Sequence, residues 1–328
     1  MTARRAAARS GIRVGTSGWS YPSGQGTWNG IFYPEQPARR PRGTPKFDEL
    51  AFYAEHFDTV EVNSSFYRVP AVATVEKWAE RTPPGFEFSV KLYQKFTHPD
   101  MFAKATGADP AQLGAKDVAE FKAALEPLAA AGKLGALLAQ FPASFKNDPE
   151  SRGYLEWLLK AFREYPVAVE LRHRSWSEQP AETADLLSAF DAALAQIDEP
   201  KFKDSIRQTL LPNVRSFYYL RLHGRNAKQW WKHESSEDRY NYLYSADELQ
   251  PFSEAARAAA REVKKAYLYA NNHFSAKSVA NANILKAQLG QELEGEYPEA
   301  FVEEYPDLKG MVKLLPGQQK LTTSRKPS

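Results

Sequence analysis

Eight short apolar runs, at residues 12–15, 59–63, 87–91, 134–140, 167–172, 194–198, 217–223 and 265–272, each stop at side chains able to do chemistry. Most are separated by stretches with helical spacing, such as 47–56, 72–81, 116–130, 149–162, 181–190, 246–263 and 276–289. Eight strand-then-helix units predict an α/β fold, a single-domain (β/α)8 TIM-like barrel. In such a barrel the carboxyl ends of the parallel strands form the active-site face. The polar stops therefore locate the chemistry before they identify it.

Alternation along a strand sorts its two faces. Val60, Val62, Phe88, Val90, Val169, Leu171, Leu220 and Leu222 suit the helix layer. That leaves Glu61, Asn63, Ser89, Lys91, Glu170, Arg172, Tyr219, Arg221 and His223 pointing into the barrel, with Gln140 and Asp198 ending two further runs. Buried charges are costly unless paired, so this near balance of acids and bases predicts an ion-pair network. Its density at the carboxyl end marks a ligand site; a network that merely plugs the barrel is the competing reading.

Long loops carry many aromatics: Trp19, Tyr21, Trp28, Phe32 and Tyr33 after the first run, and Trp230, Trp231, Tyr240, Tyr242 and Tyr244 after the seventh. Loops of this kind are more often functional covers than spacers. Residues 199–215 lack a helical pattern and are the one connection that departs from the repeat. His223-Gly224-Arg225-Asn226 and Asn271-Asn272-His273-Phe274-Ser275 follow the last two runs, where barrels often bind phosphate. Ser275 would cap the final helix there, or these residues simply turn the chain. His56 and His98 suit a helix end and a loop turn, and His173 a packing or capping role. Trp78 and Trp157 suit helix–barrel packing.

The 328 residues, 43% hydrophobic, suffice for one core, with 1–11 read as a disordered tail, 12–290 as the barrel and 291–328 as a C-terminal extension. There is no cysteine, which excludes disulfides, thiolate metal sites and cysteine nucleophiles. No apolar run reaches membrane-spanning length, and a cytoplasmic location fits. The net charge of +3 is weak support for a polyanionic partner, and the clusters at 39–42 and at Lys320, Arg325 and Lys326 suit a solvated surface.

Several segments recur in order as a family pattern: Gly15-Thr16-Ser17-Gly18-Trp19; Trp28 with Phe32-Tyr33-Pro34; Thr59-Val60-Glu61-Val62-Asn63-Ser64-Ser65-Phe66-Tyr67; Phe88-Ser89-Val90-Lys91 with Thr97-His98; Glu170-Leu171-Arg172-His173-Arg174-Ser175-Trp176; Tyr219-Leu220-Arg221-Leu222-His223-Gly224; and Asn271-Asn272-His273. Over about residues 12–290 the chain resembles the bacterial and archaeal YecE-like family, domain of unknown function 72. The resemblance implies a TIM-like barrel and no known reaction. The link of its members to sugar isomerases is an analogy of fold.

The leading functional expectation is an enzyme acting on a small anionic or phosphorylated, sugar-like substrate. Glu61 and Glu170 would be the acid/base pair, with Lys91 and His223 as further catalytic candidates. Arg172, Arg221, Arg225, Asn63, Asn271 and Asn272 would bind the substrate, and Trp19, Trp28 and Tyr67 would close over a sugar face. No cofactor is predicted. A divalent metal held by Glu61, Glu170, Asp198 and His223, in a sugar isomerase or abasic-site endonuclease, is the alternative, opposed by the adjacent arginines. In its nucleic-acid form Arg225, Lys228, Trp230, Trp231, Lys232 and the 39–42 arginines would contact phosphates and bases. A non-catalytic metabolite-binding protein is the third reading. Schiff-base chemistry at Lys91 is the fourth, against an ion-paired Lys91.

Overall fold

β-branched and aromatic runs bounded by turn residues become strands, and the periodic stretches between them become helices. The computed structural model describes residues 11–37, 43, 45–107, 114–230 and 238–316. The N-terminal tail to residue 10, the arginine cluster at 39–42, Trp231, Lys232 and the last basic cluster lie outside the described residues. In chain order the elements begin β1 (Ile12–Thr16), α1 (Glu49–His56), β2 (Thr59–Val62), α2 (Val72–Glu80), β3 (Glu87–Lys91), α3 (Gln94–Thr97) and α4 (Pro99–Thr106). They continue with α5 (Ala115–Ala130), β4 (Leu134–Gln140), α6 (Pro149–Ala161), β5 (Val167–Glu170), α7 (Pro180–Ser188), β6 (Ala193–Leu194) and β7 (Gln196–Asp198). Then come β8 (Phe217–Leu222), α8 (Ala246–Ala259), β9 (Lys265–Ala270), α9 (Lys277–Gln288), β10 (Glu296–Tyr297), α10 (Glu299–Glu304) and β11 (Lys313–Leu314).

Every ladder is parallel. β2-β3-β4-β5-β6 form a five-stranded sheet and β1-β9-β8-β7 a four-stranded one, with β10 and β11 paired separately. The fold is therefore α/β with parallel sheets, and the ladders do not establish the closed eight-stranded barrel. The sixth run is split. Its first half bonds to β5 and its second half to β8, so one stretch of chain serves both sheets. At the other edges a single parallel bridge joins Ser17 to Glu61, and the Gly18 N–H donates to the Glu61 carbonyl at 2.7 Å. Gly15 permits this approach, because a Cβ there would lie 2.3 Å from the Thr59 carbonyl oxygen.

The faces divide as alternation requires. Val60, Val62, Phe88, Val90, Val169, Leu220 and Leu222 join Leu50, Val75, Leu125, Leu155, Val279 and Leu285 of the helices in one large core. A second core lies on the opposite strand faces. Ala136, Leu138, Ala168 and Ala193 come from the five-stranded sheet, and Phe217, Tyr219, Tyr267 and Tyr269 from the four-stranded one. Large rings thus fill the space left by small side chains, each contributing roughly 2 kcal/mol by burial. The tyrosine hydroxyls of this second core find partners, with Tyr267 donating to Glu87 Oε2 at 2.5 Å, Tyr219 to Glu61 Oε2 at 2.7 Å and Tyr269 to Ser89 Oγ at 2.9 Å.

Helix starts follow local chemistry. Asp48 accepts from Ala51 N in α1, Asp148 from Ser151 N in α6, and Ser245 and Glu248 form a capping box on α8. The expected Ser275 cap on the final helix does not form. Ala276 occupies that position in the left-handed region with no side-chain bond, and Ser275 is held by its N–H to the Gly26 carbonyl at 3.1 Å. Helix α5 continues through Pro127. Beyond residue 290, Tyr297, Phe301, Tyr305 and Leu308 are buried in the large core. No helix among the described residues is long and apolar enough to cross a membrane.

Candidate functional site

β8 carries Arg221 into the space between the sheets, where it is 1% exposed. Its guanidinium bridges two glutamates. Nε and one terminal nitrogen donate to Glu61 at 2.9 and 2.7 Å, and the other terminal nitrogen donates to Glu170 Oε2 at 2.5 Å and Gln140 Oε1 at 3.1 Å. Glu61 also accepts from the Ser17 hydroxyl at 2.7 Å and the Tyr219 hydroxyl at 2.7 Å. Both of its oxygens therefore take two donors each, which uses the lone pairs a carboxylate offers. Glu170 Oε1 accepts from Arg172 at 2.8 and 2.6 Å. Burial alone would raise the Glu170 carboxyl, but the Arg221 and Arg172 guanidiniums outweigh it and hold it well below the usual carboxylate range.

His223 lies 3.4 Å from Glu170 through Nε2, and the Asn271 amide donates to its Nδ1 at 2.8 Å. Nε2 also lies 3.4 Å from a terminal nitrogen of Arg172 and from one of Arg221. Burial drives the imidazole down to about 3, against the pull of Glu170, so it is neutral.

Lys91 closes β3 at the same end. The expected ion pair is absent. Its Nζ sits 4.0 Å over the Phe66 ring and has no hydrogen bond or carboxylate among the described residues. The reason is competition: the planar arginine forks already take the oxygens of Glu61 and Glu170. Burial lowers the ammonium to about 7, Arg221 and Arg172 assisting and Glu170 and Glu61 opposing. His98, hydrogen-bonded through Nδ1 to Thr97 Oγ1 at 2.9 Å, is lowered to about 4 by burial and then by Lys91 and Arg172. It stands at the site rather than in a remote turn. Its signal in the sequence was its recurrence beside the Lys91 segment.

Glu199 was also not anticipated. It pairs with Arg172 at 3.5 Å, and its Oε2 has no hydrogen-bond partner. Burial raises its carboxyl, Arg172 opposing and Glu170 adding. Alternation could not find it, because Ala193 and Ala195 face the inner core but Ile197 faces the helices, so the parity slips across the break in the sixth run.

Asp198, Arg225, Asn272, Trp19 and Trp28 are held by other partners. Asp198 accepts from Arg225 at 2.7 and 3.1 Å and from the Tyr244 hydroxyl at 2.7 Å, and Arg225 also reaches Glu248 at 3.2 Å. Asn272 donates to the Tyr242 carbonyl and to Asn281, both at 2.7 Å. Trp19 packs edge-on against Trp78 and Phe88 in the helix layer. Trp28 is fully buried, with Nε1 donating to the His273 carbonyl at 2.7 Å, and so offers no face to a sugar. Tyr67 is 70% exposed and Asn63 keeps a buried Oδ1 without a partner. Tyr21 stacks on His273, which meets Tyr240 at a tilt, and Tyr240 meets Trp230 edge-on, linking the loops after β1, β9 and β8. Tyr240 neighbours both Arg172 and Tyr67, so this loop lies beside the cluster.

The metal-ligand set is not assembled. Asp198 is tied to Arg225, Arg221 lies between Glu61 and Glu170, and no group of three or more His, Asp or Glu among the described residues could hold an ion. The nucleic-acid surface loses two of its expected members, since Trp230 is buried and Arg225 is paired twice.

A family model described as "Protein of unknown function DUF72" matches residues 13–303. The UPF0759 protein YunF of Bacillus subtilis is 28% identical over 294 residues, which is 88% of this chain and 98% of that protein. The UPF0759 protein YecE of Escherichia coli K12 is 31% identical over 124 residues, 38% of this chain and 41% of its own length. Among solved structures, a DUF72 family protein of Thermotoga maritima has a TM-score of 0.70 at 33% identity, covering 85% of this chain and 99% of that one. Another, from Enterococcus faecalis, has a TM-score of 0.73 at 23% identity, covering 88% of this chain and 100% of that one, and shares the fold.

Proposed function

The chain belongs to the DUF72 family, and we propose that this member is an enzyme that binds a small anionic ligand at the carboxyl ends of its strands and transfers protons on it. One observation carries the reading: Lys91 has a ring face but no carboxylate, while both glutamates beside it are occupied by arginines. Three cations, Arg221, Arg172 and Lys91, share the cluster with Glu61, Glu170 and Glu199; the arginines take all three carboxylates in direct pairs, and Lys91 is the cation left without one. A phosphate or carboxylate on the ligand supplies the missing partner.

The acid/base pair that fits this arrangement differs from Glu61 and Glu170. Glu61 has no lone pair to offer and serves as the anchor of Arg221. Glu199 and Glu170, both paired with Arg172, are pushed in opposite directions, Glu199 upward and Glu170 downward. Of this pair Glu199 is the more readily protonated and so the better suited to donate, burial brings Lys91 to about 7, and Tyr67 and Tyr240 at the rim suit a hydroxyl-bearing, sugar-like body. The two sheets are two halves of one closed barrel, joined through the split sixth strand and the Ser17–Glu61 bridge. This arrangement supports a site at one end of the strands.

Calorimetric titration with inorganic phosphate at low salt tests the reading. The wild type binds, Lys91→Met weakens binding roughly tenfold or more, about 1.4 kcal/mol, and Lys265→Met, at the opposite strand ends, leaves it unchanged. Absence of wild-type binding, or equal binding by Lys91→Met, overturns it. Sugar phosphates that bind without yielding product would leave a binding protein and remove the enzyme.

A further inference from the structure

We propose that Lys91 is a Schiff-base nucleophile and that the ligand is an aldehyde or ketone carrying the anionic group. The inference rests on the anion-site reading and deepens it by naming the reacting function of the ligand. A lysine that only holds an anion works best as a permanent cation, in hydrogen-bonding contact with water or a carboxylate. Lys91 is arranged otherwise. Its Nζ lies over the Phe66 ring with no donor–acceptor partner among the described residues, so no ion pair has to be broken before the nitrogen can react.

Burial, more than the groups facing it, favours the free amine of Lys91. Arg221 on β8 and Arg172 after β5 repel the ammonium, Glu170 on β5 and Glu61 on β2 attract it, and burial decides the outcome, bringing Lys91 down to about 7. His98, lowered to about 4, is neutral and faces the same lysine. Arg172, paired with Glu170 and at 3.5 Å with Glu199, stays positive at any working pH and adds to the positive potential that draws the anion to Lys91.

The step balances without any further reagent. The Lys91 nitrogen lone pair forms a C–N bond to the carbonyl carbon, and the C=O π pair moves to oxygen. A proton passes from nitrogen to that oxygen, giving the carbinolamine. A second proton converts the hydroxyl to a leaving water; the C–O bond breaks and the C=N bond forms. Glu199, its carboxyl raised, and the neutral imidazoles of His98 and His223 are the proton-handling groups around this step. Positive charge then rests on a nitrogen bonded to the substrate, where it can stabilise negative charge developing on the neighbouring carbon.

The experiment incubates the full chain with glycolaldehyde phosphate, reduces with borohydride and maps the modified lysines by mass spectrometry, with phosphate calorimetry run in parallel. At pH 7 an ordinary lysine is free amine in roughly one part in two thousand, whereas an amine titrating near 7 is about half free. Lys91 is therefore expected to be labelled at least roughly tenfold faster than any other lysine, with a rate midpoint near pH 7. Excess inorganic phosphate should suppress that labelling in the wild type, a control that needs no variant. Lys91→Arg, which keeps a cation, should lose the adduct. Phosphate binding with labelling spread over surface lysines overturns the Schiff base and leaves the anion site standing. Neither binding nor labelling overturns both.

Discussion

At the amino ends of the strands, Glu87 accepts from Arg13 at 3.1 Å, from Lys265 at 2.8 Å and from the Tyr267 hydroxyl at 2.5 Å, and Arg13 also reaches Asp58 at 2.8 Å. At the carboxyl ends, Arg221 and Arg172 occupy Glu61 and Glu170 and leave Lys91 against a phenyl ring. Both ends hold acids, bases and a tyrosine hydroxyl in a confined space. At the amino end each of these charges meets an opposite one. At the carboxyl end Lys91 does not, and Asn63 Oδ1 and Glu199 Oε2 are buried without hydrogen-bond partners. A buried ion network by itself therefore marks neither a plug nor a site. On the proposed reading the cation without a carboxylate makes the difference, because an unpaired buried charge carries a cost that an anionic ligand can relieve.

Several changes would break or sharpen this contrast. Arg221→Met leaves two glutamates buried without their shared cation and should cost about 3–5 kcal/mol. Glu87→Gln, where Lys265 and Arg13 reach solvent, should cost less. Urea denaturation of both variants measures the gap, and equal losses would remove the distinction between the ends.

The next effect is acid sensitivity. His56, His98 and His273 are lowered to about 4 and His223 to about 3, burial leading in each case. The unfolded chain takes up these protons first, near pH 6.5. Stability from these groups is therefore full above pH 6.5 and is lost as pH falls toward 4 and 3. A urea midpoint that stays flat from pH 7 to 4.5 would contradict it.

Lys91→Met should work the other way. A depressed lysine gives full stability above its unfolded value and loses it as pH falls toward 7, so removing the amine should raise Tm at pH 7 by about 2 °C. Lys265→Met, which deletes a half-exposed ion pair, should lower it slightly. A drop in Tm for Lys91→Met would mean that the lysine has a stabilising partner after all. Smallest are Tyr219→Phe and Tyr267→Phe, each deleting one donor to a glutamate, at about 1 kcal/mol apiece by thermal unfolding.

Much of the site is legible in the sequence because regular strands impose a period of two. That period puts Glu61, Lys91, Glu170, Arg172, Arg221 and His223 on one face, and the same alternation separates the two cores. The illegible parts each break the period or depend on a choice among partners. Glu199 follows a strand that slips between sheets, and Tyr240 and His98 lie outside the strands. Counting charges could not tell which cation loses its carboxylate, a contest decided by the fork of arginine against the point charge of lysine. The C-terminal aromatics Tyr297 and Phe301 sit on elements of two and six residues and Tyr305 just past the second, too short for a periodic signal, yet they are buried in the large core.

The most direct test of the unpaired lysine is its own titration. Reductive methylation with 13C-formaldehyde labels the amines, Lys91→Arg assigns the Lys91 resonance, and NMR follows its shift with pH, alone and with inorganic phosphate. A midpoint near 7 that moves upward when phosphate is added is the predicted result. A midpoint near 10.4, unmoved by phosphate, would show a solvated or ion-paired lysine and contradict the account.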